Sequence, residues 1–74
     1  MNGIGWAVKE LLEGKKVTRS GWNGPNQFLK LMMANIQHPD MSLPYVYITT
    51  VSGDRVPWLC SQTDLLAIDW VIVP

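Results

Sequence analysis

Cysteine and histidine are almost missing from this sequence: Cys60 and His38 are the sole representatives of each. One thiol cannot close a disulfide within a monomer, and one thiol with one imidazole falls short of the ligand set that a closed zinc site usually needs. Charge is scarce as well. Only 16% of residues are charged, and six basic residues balance six acidic ones to a formal net charge of zero. Proteins that grip long nucleic acids normally carry a basic patch or a high pI, so no long nucleic acid is expected as a partner. No run approaches the ~20 consecutive apolar residues of a membrane span. The first residues also lack the basic region and apolar stretch of a signal peptide. A cytoplasmic chain with no membrane partner is therefore the expectation, in keeping with a lone, reduced cysteine.

With 74 residues the chain allows a single domain, spanning 1–74, and one modest core. A core of that size rarely supplies more than about 3–5 kcal/mol without a staple. With disulfide and metal excluded, association with other subunits remains. Four tryptophans are more aromatic bulk than so small a core easily covers, which points to a homo-oligomer that buries apolar surface between its subunits.

Ile4, Val8, Leu11 and Leu12 recur at the spacing of one helical face, so residues 3–13 are predicted as a helix. Asn2 is placed to cap its start and Gly14 to end it in a left-handed conformation, with Lys15 and Lys16 at the negative end of the dipole. Trp6 falls roughly opposite Ile4 and Leu11 at ~100° per residue, and is expected to face solvent or a neighbouring subunit. Strands are predicted at 17–19, 28–33 and 45–51. A turn at Ser52-Gly53-Asp54 then leads into Arg55-Val56, which Pro57 bars from a central position. Ser61-Gln62-Thr63-Asp64 has the form of a capping box opening a short helix, and Trp70 to Val73 closes the chain as a strand. The fold class that follows is α+β: an N-terminal helix packed on a small, mainly antiparallel sheet, with a short helix before the C-terminal strand.

Catalysis has little to stand on. His38 alone has an unperturbed pKa suited to base work near neutrality. A triad of His38, Ser61 and Asp64 lacks a nucleophile elbow and an oxyanion motif. No phosphate-loop, dinucleotide or metal motif is present, so neither catalytic residue nor cofactor is expected. Binding is better founded. Arg19-Ser20-Gly21-Trp22-Asn23-Gly24 and Pro57-Trp58-Leu59-Cys60-Ser61-Gln62-Thr63-Asp64 each set an indole beside hydrogen-bonding groups on an irregular segment. An indole face stacks on any nucleobase for about 1–3 kcal/mol, although a tryptophan in a small domain is more often core. Glycines let backbone N–H groups approach a phosphate, and Arg19 offers it a bidentate contact. Arg19, Lys30 and Arg55, taken singly, read as solvated surface charges. The candidate ligand-binding residues are Arg19, Gly21, Trp22, Asn23, Gly24, Phe28, Trp58, Ser61, Gln62, Thr63 and Asp64.

Those clusters, with the segment Ala7 to Val17 before them, the run Gly53-Asp54-Arg55-Val56-Pro57-Trp58, and the acidic–aromatic ending Asp69-Trp70, resemble the second family of phage Thoeris anti-defence proteins over nearly the whole chain. The resemblance implies a homotetrameric sponge. It would bind the glycocyclic ADP-ribose signals of bacterial TIR-domain immune enzymes in the infected cell without cleaving them, and would bind CBASS cyclic dinucleotides at a separate pocket. Two readings from other classes stand beside it. One is an enzyme that degrades such a nucleotide; the other is a protein-binding module that docks through Trp6, Trp22 and Trp58.

Overall fold

A computed structural model, which describes residues 1–24, 26–33 and 42–74, runs α1 (Ile4–Leu12), β1 (Lys16–Arg19), β2 (Phe28–Met32), β3 (Tyr45–Thr49), β4 (Arg55–Pro57), α2 (Gln62–Leu65) and β5 (Trp70–Val73). The strands form one five-stranded sheet in the order β4-β3-β2-β1-β5, and every neighbouring pair is antiparallel. The first four strands make a meander. The chain then crosses through α2 and lays β5 along the open edge of β1, pairing from Lys16–Val73 to Arg19–Trp70. Pro57 ends the edge strand β4, where its missing N–H breaks no central ladder. This is the α+β architecture expected from the sequence.

Gly14 stops α1 as its position suggested. Its φ is +87°, the Lys15 N–H donates to the Glu10 carbonyl at 3.1 Å, and the Gly14 N–H donates to the Leu11 carbonyl at 2.9 Å. This is the paired closure of a Schellman motif. The other end differs from expectation. Gly3 occupies the cap position with no side-chain hydrogen bond. Asn2 instead bridges to the start of β5: its N–H donates to the Ile68 carbonyl at 3.0 Å and its carbonyl accepts from Trp70 N–H at 3.1 Å.

The buried face of α1 is also turned from the expected stripe. Ala7, Glu10 and Leu11 are buried, with Ile4 and Trp6 packed against the core. Val8 and Leu12, assigned to the core by spacing, are 44% and 69% exposed. Size explains the rotation. Turning the helix toward Trp6 buries a larger apolar side chain than Val8, and Ala7 lets the backbone approach the sheet. Trp6 thus belongs partly to the subunit's own core, not to an outward face. Glu10 is tolerated on the buried side because Lys15 Nζ lies 3.0 Å from its carboxylate.

The core is Ala7, Leu11, Val17, Leu29 and Trp70, all essentially inaccessible. Val17, Leu29 and Ile48 stand directly opposite one another across three strands and share the face covered by α1. Trp70, the largest fully buried side chain, ties the C-terminal strand to both the helix and the loops beyond the ends of β1 and β4.

Candidate functional site

The two aromatic–polar clusters converge on Trp70. The rings of Trp22 and Trp58 meet it edge to face, with centroids 5.5 Å and 6.0 Å away at interplanar angles of 77° and 85°. Such T-shaped contacts add about 0.5–1.5 kcal/mol each beyond simple area burial. Both outer indoles are half-buried, so each gives one side to the core and keeps part of its surface for contact elsewhere.

A polar knot holds this aromatic trio in place. Asp64 Oδ1 accepts from Arg19 Nη1 at 2.8 Å and from Trp22 Nε1 at 2.9 Å. Arg19 Nε donates to Asp69 Oδ1 at 2.7 Å, and Asp69 Oδ2 accepts the Gly21 N–H at 2.8 Å. Trp70 Nε1 donates to the Asp64 carbonyl at 3.3 Å. Ser61 caps α2 by accepting the Asp64 N–H at 3.1 Å. The expected return of the Asp64 carboxylate to the cap gives way to Arg19 and Trp22, which offer a charge-assisted and an indole donor. Burial by itself would raise the Asp64 pKa, but donation from Trp22, Arg19 and Ser61 outweighs it and holds the carboxyl below its ordinary value. Asp69 is likewise lowered, chiefly by the Arg19 hydrogen bond, and the two carboxylates raise Arg19 in turn, Asp69 first.

Beside the knot lies a cleft of about 420 Å³, within the usual ~300–1,000 Å³ of small-molecule pockets. It opens where β1 and β2 part. Val17 pairs with Leu29, and the next link is the Thr18 hydroxyl donating to the Gln27 carbonyl at 2.8 Å. Thr18, Arg19, Trp22, Gly24, Asn26, Gln27 and Phe28 line it, with the C-terminal Ile72–Pro74 along the far side. The lining combines two aromatic rings and the apolar Ile72–Pro74 edge with amide, hydroxyl and guanidinium groups. It can hold a planar, hydrogen-bonding ligand.

Of the expected binding residues, Arg19, Trp22, Gly24 and Phe28 line this cleft. Trp58 joins the aromatic trio and Asp64 the knot. Gln62 and Thr63 are exposed on α2, and the Thr63 hydroxyl lies 3.0 Å from that of Ser61. Asn23 is exposed and turns its carbonyl to the Gln27 side chain.

Two roles change. Arg19 was expected to clamp phosphate, yet its Nε and Nη1 are taken, and a phosphate approaching it meets two carboxylates against one guanidinium. The Gly21 N–H, also nominated for phosphate, is given to Asp69. A Cβ at Gly21 would sit 2.7 Å from Asp69 Oδ2, so a larger residue here would push the carboxylate aside. Gly24 is required twice over: its φ is +99°, and an added Cβ would meet Val51 Cγ2 at 2.7 Å. Sequence reasoning missed Asp69 as the second anchor of Arg19, and missed Thr18, Asn26 and Gln27 as cleft residues. His38 lies outside the described residues, as does most of the loop from Ala34 to Pro44.

The sequence pattern of the Thoeris anti-defense 2-like domain matches residues 2–73. The chain belongs to that family. Among its relatives is Thoeris anti-defense 2 of Bacillus phage SP01, 36% identical in an alignment that covers 95% of this chain and 92% of the relative. Membership in the Thoeris anti-defense 2-like family carries a phage anti-defense role, directed by the family's name at Thoeris immunity. The match takes in both α1 and the closing strand β5, so the aromatic trio and the knot lie wholly inside the family domain.

Proposed function

We propose that this chain is a sponge: it binds the glycocyclic ADP-ribose signals of Thoeris immunity in the infected cell's cytoplasm and sequesters them without cleavage, as a homotetramer. CBASS cyclic dinucleotides are its second ligand class. The observation that carries the reading is the cleft of about 420 Å³ between Trp22 and Phe28, rimmed by the amides of Asn26 and Gln27 and the hydroxyl of Thr18, in a chain of an anti-defense family. Stacking surfaces with a few fixed polar groups suit tight holding, and a pre-formed pocket lowers the ordering cost of binding.

The state of Asp64 supports holding over turnover. A carboxyl engaged by Arg19 and Trp22 and held below its ordinary pKa is ionised and occupied at neutral pH, the opposite of a general acid. Assembly is supported by apolar exposure: Leu59, Leu66, Leu12 and Ile68 are each more than half exposed, and association offers a way to cover such surface.

Native mass spectrometry with a panel of cyclic nucleotides tests both parts together. A tetramer that takes up glycocyclic ADP-ribose in a fixed ratio is expected. A monomer, or an assembly that ignores the whole panel, would refute the reading.

A further inference from the structure

Among the described residues, the strands turn charge of one sign toward the face of the sheet opposite α1. Val17, Leu29 and Ile48 lie under the helix, so alternation turns Lys16, Thr18, Phe28, Lys30, Tyr47 and Thr49 the other way. The register of β4 adds Arg55, opposite Thr49. Among the described residues the strand positions of this face hold three cations and no carboxylate. The described acids are elsewhere: Glu10 and Glu13 on and just after α1, Asp64 and Asp69 in the knot, and Asp54 in the hairpin turn, where it accepts from Ser52 Oγ at 3.0 Å.

Within that face, two lysines are placed at each other's expense. One step from the Val17–Leu29 pair, Lys16 and Lys30 fall opposite each other on adjacent strands, where like charges destabilise a sheet. Lys16 leans its ammonium over the Phe28 ring, 4.9 Å from the centroid. Lys30 stands opposite Tyr47, whose own ring carries the Arg55 guanidinium at 5.5 Å. Cations resting on aromatic faces beside a repelling pair form a surface complementary to a compact anion with a ring attached. Hollows adjoin it on both sides. Phe28 and Thr18 lead into the cleft already described, and Met32, Tyr45, Tyr47, Arg55 and Pro57 shape another of about 260 Å³. A second copy of the same face is a poor occupant, because a two-fold contact would set one cation-bearing face against another.

We propose that Lys16, Lys30 and Arg55 are the anion-binding half of the ligand surface and take the phosphates of the nucleotide, in place of Arg19. This rests on the sponge reading for the identity of the ligand, and on the sheet face alone for the chemistry: a pyrophosphate or phosphodiester whose attached ring lies in the cleft beside Phe28.

Calorimetric titration of inorganic pyrophosphate and of glycocyclic ADP-ribose, at matched ionic strength, into the unmodified protein, Lys16→Gln/Lys30→Gln and Arg55→Gln tests it, alongside thermal unfolding without ligand. Removing charge-assisted contacts in the double variant should weaken binding at least about tenfold. Its ligand-free melting temperature should change little, because both lysines are part-exposed and the lost Lys16–Phe28 contact is offset by relief of like charge. Double-variant affinities equal to those of the unmodified protein would overturn the proposal. So would lost binding accompanied by dissociated subunits, which would make the face a subunit contact. If pyrophosphate binding depends on the lysines while glycocyclic ADP-ribose fails to bind even the unmodified protein, the anion face stands and the sponge reading falls.

Discussion

Asp64→Ala removes the acceptor that joins the two halves of the site, and its cost follows from the hydrogen bonds that the carboxylate makes. The side chain is 12% exposed and bonds Arg19 at 2.8 Å and Trp22 at 2.9 Å. Leaving the partly buried Trp22 N–H without a partner costs about 1–3 kcal/mol. Arg19 keeps Asp69, so the loss of one of its two carboxylates adds only about 1 kcal/mol. The cap of α2 survives, because it uses the Asp64 backbone N–H. The total is on the order of 2–4 kcal/mol, a large part of the ~5–15 kcal/mol that stabilises an ordinary domain. At about 4–8 °C per kcal/mol for a domain of this size, the melting temperature should drop by at least ~8 °C. Urea unfolding followed by near-ultraviolet circular dichroism, at fixed protein concentration so that assembly does not confound the comparison, reads both stability and the geometry of the Trp22–Trp70–Trp58 trio. Trp22→Phe closes a double-mutant cycle: it should cost less in the Asp64→Ala background, with a coupling of about 1 kcal/mol or more. A variant within ~0.5 kcal/mol of the unmodified protein would refute the knot as a structural element, because that is the usual range of inert surface substitutions.

Other outcomes follow from the same geometry. Gly21→Ala should destabilise by about 1–3 kcal/mol, because its Cβ meets Asp69 Oδ2 at 2.7 Å and displaces the acceptor of an internal N–H; equilibrium unfolding measures it. Arg19→Lys keeps the charge but not the fork that reaches two aspartates, and should cost about 1–2 kcal/mol while leaving pyrophosphate binding intact. Asp64 and Asp69 are both depressed in the folded state, so the unfolded chain takes up protons first as acid is added. Their contribution is fully present above the unfolded aspartate pKa of ~3.9 and is lost as pH falls through the lower folded values; a stability profile from pH 7 to 2 should be flat and then drop below about pH 4, and the drop should be shallower in Asp64→Asn.

Much of the fold is legible in the sequence because it is written locally. Trp70 to Val73 reads as a strand and is one. Gly14 and Ser61 announce helix ends through short-range chemistry, and both behave as read. The buried face of α1 escapes a reading by spacing, which weighs Val8 and Trp6 only by position, whereas packing weighs them by area. Arg19 misleads for a different reason. Its partners Asp64 and Asp69 lie 45 and 50 residues away, and no local pattern shows that a basic residue beside a tryptophan is already spoken for. The cationic face is likewise invisible in one dimension. Lys16, Lys30 and Arg55 look like scattered surface charges until the register brings them to one side of the sheet.

Holding without cleaving is what separates a sponge from an enzyme, and the bound nucleotide itself reports it. The protein is saturated with glycocyclic ADP-ribose, freed of excess by gel filtration and heat-denatured, and the released small molecules are identified by mass spectrometry. Intact nucleotide in a fixed ratio to protein is the predicted result. Fragments of the nucleotide, or none of it co-eluting with the protein, would contradict sequestration.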